Sequence, residues 1–166
     1  MFTELLACKC EGPFSIEKEY PRAKVVFLGQ VLKVEYVGLG ETMHPDSLLI
    51  ARKLAAAKNT EAFLDSPIVL KASFLVKKEY KGQLQVDTLT IYTGYWSASC
   101  GFNFKANKEY LVYGVDYSLP YSFLQLNNER VNRFTKKHTY WTHYCMRTTE
   151  DIHQEQTLLT KYLRKE

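Results

Sequence analysis

The side chains best suited to chemistry in this chain are its four cysteines, and their spacing is uneven. Cys8 and Cys10 flank Lys9 near the amino end, whereas Cys100 and Cys145 stand alone far downstream. Four thiols allow three pairings. Joining Cys8 to Cys10 closes a very small strained ring, so the favoured arrangements send one of that pair to Cys100 and the other to Cys145. A bridge across so long a loop stabilises a fold by roughly 4 to 5 kcal/mol in the chain-entropy model. A redox dithiol at Cys8-Lys9-Cys10, with Lys9 lowering a thiol pKa, fits less well, because it lacks the usual two-residue spacing. Four incidental buried thiols are the plain alternative.

Other chemistry is weakly marked. His138 and His143 lie among Tyr140, Trp141 and Tyr144, but a separation of five matches no common metal-ligand pair and no carboxylate is adjacent. A structural or surface role is expected. Lys77, Lys78, Lys81, Lys105 and Lys108, interleaved with Tyr80, Phe102 and Phe104, could form a nucleic-acid face. Glu79 and Glu109 interrupt them, so a solvated strand face is expected and no nucleic acid. There is no Ser, His and Asp set at motif spacing, no phosphate-binding glycine loop and no zinc-protease helix. The sequence therefore reads as non-enzymatic, with no cofactor.

Length and composition set the frame for these residues. A chain of 166 residues fits one domain and can bury a normal core. Disulfides here would fix a region of the fold and not rescue a tiny one. The net charge of +4 permits an acidic partner or a polyanionic surface without requiring one. No apolar run is long enough to span a bilayer as a helix, so no transmembrane segment is expected. Met1 to Ala7 lacks the basic and apolar regions of a secretion signal and carries Glu4. Disulfides nevertheless need an oxidising compartment, which points to a secreted, extracellular or periplasmic protein. Residues 1–7 are then a remnant of a precursor or an added extension, and residues 8–166 form a single domain. Leu5-Leu6-Ala7-Cys8 also has the look of a lipoprotein cleavage site, and a lipid anchor on the Cys8 sulfur would exclude a disulfide there.

The elements that must position the cysteines are mostly strands. Residues 23–36 are rich in β-branched and aromatic side chains and alternate after Gly29, which predicts a strand bent at that glycine. Residues 68–78, 87–93 and 109–115 predict three more. Pro45 to Lys58 is dominated by alanine and leucine, with Leu48, Ala51, Leu54 and Ala55 at helical spacing, and predicts a helix inserted between strands within residues 45–64. Residues 116–140 read as a polar loop in their central part. From Thr148 the chain predicts a carboxy-terminal helix capped near Thr149, with Ile152, Leu158, Leu159, Tyr162 and Leu163 as its buried face. Several strands with short turns and one helical insertion predict a closed or partly open barrel.

Taken in order, Cys8-Lys9-Cys10, the strand Val25 to Val31, Tyr80-Lys81-Gly82, Ser99-Cys100-Gly101-Phe102, Glu109 to Gly114 and Cys145-Met146-Arg147-Thr148 resemble the netrin-like domain. Within it they are most similar to the amino-terminal domain of the tissue inhibitors of metalloproteinases. The resemblance runs from Cys8 to the last helix and lapses at residues 38–66 and 116–140. It implies a mainly β fold with flanking helices, a five-stranded OB-like β-barrel carrying the inserted helix and a carboxy-terminal helix. It also implies bridges from Cys8 to Cys100 and from Cys10 to Cys145, and a protein partner, a zinc metalloproteinase. On that pattern an amino-terminal Cys8 chelates the protease zinc through its free amine and carbonyl, displacing the hydrolytic water. Lys9 then enters the specificity pocket, while Cys10, Ser97, Ala98 and Ser99 complete the inhibitory ridge. Chelation requires Cys8 to be first in the mature chain. Lys9 stands where the family has a small hydroxyl residue, and its ammonium suits an acidic or open pocket, since burial without a partner costs several kcal/mol. The alternative is a non-inhibitory extracellular interaction module of the same fold.

Overall fold

The computed structural model describes residues 15–94, 100–116 and 139–165. Its frame is a five-stranded mixed sheet. Strand β1 (Val25–Val37) pairs antiparallel with β2 (Val69–Lys81) along almost its whole length, and its first half also pairs antiparallel with β4 (Glu109–Gly114). The β2 strand pairs antiparallel with β3 (Thr88–Gly94), and β3 pairs in parallel with the short β5 (Thr139–Trp141). The order is β4-β1-β2-β3-β5. Register shifts in the β1–β2 ladder fall between Val26 and Phe27, between Leu28 and Gly29, and between Val31 and Lys33. The bend predicted at Gly29 thus falls at an irregularity of the ladder, and such irregularities increase local twist and curl a sheet. The outermost strands meet at one antiparallel bridge, where Val115 and Trp141 exchange backbone hydrogen bonds of 2.9 and 2.7 Å.

Curling gives the sheet two buried faces. One encloses Val25, Phe27, Phe74, Ile91, Tyr110 and Val112. Phe74 sits among Phe27, Phe104 and Tyr110, each ring edge-on to it at 5.1 to 6.5 Å between centroids. The other face carries Val26, Tyr92, Leu111, Tyr113 and Trp141 against the helices. Being covered on both sides, β4 is buried from Tyr110 through Gly114, and its sequence accordingly runs apolar where a half-solvated strand would alternate.

The helices flank this sheet, so the architecture is mainly β with flanking helices. Helix α1 (Ile16–Arg22) precedes β1. The segment between β1 and β2 holds a 3-10 turn (Leu39–Thr42), α2 (Pro45–Ala56) and the short α3 (Ala62–Asp65). The insertion expected as one helix within 45–64 is therefore two, because Asn59 turns the chain at φ 54° after Ala57 ends α2. His44 caps α2 by accepting from the Asp46 amide at 3.3 Å, with Pro45 in the first turn. Helix α4 (Ile152–Leu163) closes the chain and is capped by Asp151, not Thr149. Thr149 instead pairs with Leu111 of β4. The buried side of α4 also differs from expectation: Glu155 and Leu159 are buried, whereas Leu158 and Leu163 are exposed. No helix among the described residues is long and apolar enough to cross a membrane.

Candidate functional site around Cys100 and Cys145

Two of the four cysteines can be placed, and they meet. Cys100 follows β3 and holds φ 57°, a left-handed backbone that costs a side-chain-bearing residue about 1 kcal/mol or more. Its carbonyl accepts from the Tyr144 amide at 2.7 Å, which sets it against the residue preceding Cys145. Both cysteines are disulfide-bonded, and no cysteine among the described residues is a free thiol. Cys8, Lys9 and Cys10, together with Ser97, Ala98 and Ser99, lie outside the described residues, as does His138.

The walls of this meeting point are built from sheet hydrogen bonds. The fully buried Thr93 of β3 accepts from the Phe102 amide through its hydroxyl at 2.8 Å, fixing the chain just after Cys100. The Thr142 amide donates to the Tyr92 carbonyl at 3.0 Å, so the chain leaving β5 continues alongside β3. Tyr92 and Trp141 stack beneath it with centroids 5.5 Å apart. His143 turns the chain, its carbonyl accepting from the Met146 amide at 2.9 Å and its Nδ1 from the Cys145 amide at 3.2 Å. An Nδ1 that accepts from the backbone is already used in holding the Cys145 turn. Burial, helped by the Arg22 charge, keeps this imidazole below its ordinary value of 6.5. Tyr144, between His143 and Cys145, is 65 % exposed and presents a large ring to solvent beside both cysteines.

Behind the Cys145 turn is a polar cluster that the sequence reading missed. Buried Glu155 of α4 accepts from the Tyr113 hydroxyl at 2.7 Å and from Arg147 Nε at 2.8 Å, and a second Arg147 nitrogen reaches its other carboxylate oxygen. Burial and the adjacent carboxylate push the Tyr113 hydroxyl well above its ordinary value, so it stays a neutral donor. Thr148 and Thr142 share a hydroxyl contact at 2.7 Å, and the Thr148 hydroxyl accepts from the Tyr113 amide at 3.0 Å. These bonds tie Cys145-Met146-Arg147-Thr148 to β4 and α4 at once. The signal available in sequence was Glu155 sharing a helix face with Leu159 four residues on, a carboxylate where an apolar residue was due.

Three lysines of the basic strand face, Lys77, Lys78 and Lys81, are engaged in structural contacts. Lys77 pairs with Glu109, Lys78 lies over the Tyr80 ring at 4.9 Å, and Lys81 donates to the carbonyls of Tyr20 and Pro21 at 2.7 and 3.1 Å. Phe104 is buried in the inner cluster instead of offering a stacking surface. Among the described residues no three His, Cys, Asp or Glu side chains group to hold a metal. No protein-family model matches the chain, and no curated protein matches it in sequence.

Proposed function

We propose that this is a secreted, non-enzymatic protein of netrin-like type that acts as an inhibitor of a zinc metalloproteinase. The observation that carries the reading is the hydrogen bond from the Tyr144 amide to the Cys100 carbonyl. It makes neighbours of two disulfide-bonded cysteines that lie far apart in sequence. A Cys-Lys-Cys segment spans about 7 Å between its end Cα atoms when extended, so both of its thiols can be tied to one small region. In this reading Cys8 bonds Cys100 and Cys10 bonds Cys145, and Lys9 is held at the crest of a rigid wedge. Pairing Cys100 with Cys145 would leave Cys8 and Cys10 as free thiols or closing the strained ring, and would not tether the Cys-Lys-Cys segment. The Val115–Trp141 bridge, the one found between the outer strands among the described residues, favours a partly open OB-like barrel as the finer description of the sheet.

The mechanism needs a free amine at Cys8. That amine and the Cys8 carbonyl would capture the protease zinc and displace its water, while the tether lowers the ordering entropy lost on binding. Lys9 directs the inhibitor to an enzyme whose specificity pocket is acidic or open. Ser97, Ala98 and Ser99 would flank the wedge, with the exposed Tyr144 ring as a further contact. The second reading is a non-inhibitory interaction module of the same fold, which tolerates any extension before Cys8.

The test compares oxidised protein beginning at Cys8 with protein retaining Ala7, against a panel of zinc metalloproteinases. Inhibition by the first, at least about a hundredfold weaker in the second, is the expected result. Equal inhibition by both removes chelation, and no inhibition by either leaves the interaction module. Peptide mapping without reduction checks the base of the wedge: Cys8–Cys100 and Cys10–Cys145 are expected, and a lipid on Cys8 overturns the scheme.

A further inference from the structure

Strand β1 outlasts its neighbour on one side. Its pairing with β4 ends at Gln30 opposite Glu109. The Val31 amide then donates to the Lys108 carbonyl at 2.9 Å, and the Val31 carbonyl accepts from the Asn107 amide at 2.8 Å. From there β1 runs on to Val37 with β2 along one side, and among the described residues no strand pairs with its other edge. Proteins commonly blunt such edges with short strands, charges or a covering element. This edge carries two large side chains in solvent, Leu32 and Tyr36, 49 and 48 % exposed. Val34 and Tyr36 stand opposite Ala72 and Leu70 of β2, on the face of the inner cluster. Lys33 and Glu35 stand opposite Ser73 and Lys71 on the other face, where their side chains meet at 2.7 Å in an exposed ion pair.

We propose that this edge, residues 32–37, pairs antiparallel with the same edge of a second copy of the chain, about a two-fold axis at Val34. The run Leu32-Lys33-Val34-Glu35-Tyr36 is its own complement in that register. The two Val34 residues face each other, Lys33 of each copy faces Glu35 of the other, and Leu32 of each faces Tyr36 of the other. Two opposite-charge pairs and two apolar pairs form together, the cross-strand contacts that stabilise a sheet. An axis at Lys33 or at Glu35 would instead set like charges opposite each other. A slip of one residue would set Lys33 opposite Val34 and Glu35 opposite Leu32, so both charges would face apolar side chains. Self-complementarity of this kind is what a two-fold interface requires, because one patch must serve both subunits. Six paired residues span only about 20 Å, which makes the dimer a weak and reversible one. The proposal uses neither the cysteines nor their role.

Sedimentation velocity of the full, oxidised chain over a concentration series tests the pairing. Wild-type protein should pass reversibly from monomer to dimer as concentration rises. K33E and E35K each set like charges across both pairs and should weaken dimerisation at least about fivefold at low salt. The double variant K33E/E35K reverses every charge, and an equimolar mixture of the two single variants brings opposite charges together between unlike chains. Both should recover dimerisation to within about twofold of wild type. A general loss of fold stability could not produce that recovery, and matching circular dichroism of the variants checks the fold directly. A chain that stays monomeric up to about 1 mM, whether or not it captures an unrelated extended peptide, overturns the second copy as occupant. Dimers indifferent to the single variants, or no recovery in either the double variant or the mixture, place the contact elsewhere and overturn this edge. A dimer held covalently by disulfides between chains, seen without reduction, overturns it as well.

Discussion

At the scale of single residues, Glu155 decides how the Cys145 turn is held. It is 5 % exposed, and its cost of burial is offset by the Tyr113 hydroxyl and by two nitrogens of Arg147. Glu155→Ala leaves the guanidinium and a buried hydroxyl without their acceptor and should cost about 3 to 5 kcal/mol in urea unfolding. Tyr113→Phe removes one donor only and should cost about 1 to 2 kcal/mol; equal losses from the two changes would refute a network centred on the carboxylate. His143 sets a pH dependence. Its folded value is lowered by burial and then by Arg22, so the unfolded chain takes up the proton at higher pH. Its stabilising contribution is complete above the ordinary value of 6.5 and is lost as pH falls toward the lowered one. Protonation also removes the Nδ1 acceptor of the Cys145 amide. Melting temperature should therefore fall between pH values of about 7.5 and 5, more steeply than in His143→Gln. Parallel profiles would remove His143 as the cause. Ser47 gives the opposite lesson: its buried hydroxyl has no hydrogen-bond partner among the described residues. Ser47→Ala should raise stability by about 0.5 to 1 kcal/mol, because it removes an unsatisfied group and improves helix propensity.

At the scale of elements, the insertion between β1 and β2 packs through a glycine. A Cβ on Gly38 would stand 2.3 Å from the Leu64 carbonyl oxygen and 2.8 Å from the Asp65 Cα, both of them backbone atoms of α3. Gly38→Ala must displace α3 and should destabilise by more than about 2 kcal/mol, with the loss seen as a lower urea midpoint. A change within about 0.5 kcal/mol would show that α3 is loosely docked. The long strands were legible because β1, β2 and β3 alternate or carry β-branched runs, and α2 because Ala51 and Ala55 recur on one side behind Pro45. Strand β5 escaped because three residues, Thr139 to Trp141, carry no period of their own; parallel pairing with β3 makes them a strand. Trp141, one of the aromatic residues beside His138 and His143 in sequence, is part of the core. The α1 segment, Ile16–Arg22, mixes charges with Pro21 and gives no amphipathic stripe strong enough to mark it. Leu158 and Leu163, expected inward as leucines, are exposed because Glu155 and Tyr162 hold the packed face through hydrogen-bonded and aromatic contacts. The cysteine spacing was legible from the start, whereas the bond that brings Cys100 to Tyr144 depends on tertiary geometry that no local pattern encodes.

At the scale of the whole molecule, stability is distributed unevenly between a long ladder and a short closure. The β1–β2 ladder runs from Val26 with Lys81 to Val37 with Val69, so it can hold together by its own pairing and by the buried faces on both sides. Among the described residues the closing region from Thr139 to Thr149 has short backbone pairings: β5 with β3, Thr142 with Tyr92, Val115 with Trp141, Tyr144 with Cys100 and Leu111 with Thr149. Long-range tethers must supply the rest, through Arg147 to Glu155 and through the disulfide at Cys145. Cys100→Ser with Cys145→Ser should then cost about 2 to 5 kcal/mol, and under the proposed pairing less than the sum of two independent loop terms, because both tethers would act on one region. For a chain of this size that lowers the melting temperature by about 5 to 20 °C. Under native conditions the loss should be local first. Hydrogen exchange after reduction should quicken at Trp141, Thr142 and Tyr144 while the amides of β1 and β2 stay protected, as expected when a subglobal unit opens below the global free energy. Simultaneous acceleration across β1, β2 and the closing region would mean that the disulfides stabilise the fold only as a whole. The local pattern would instead place their action at the surface where Cys100 and Cys145 meet, so that reduction would loosen the proposed wedge before it unfolds the protein.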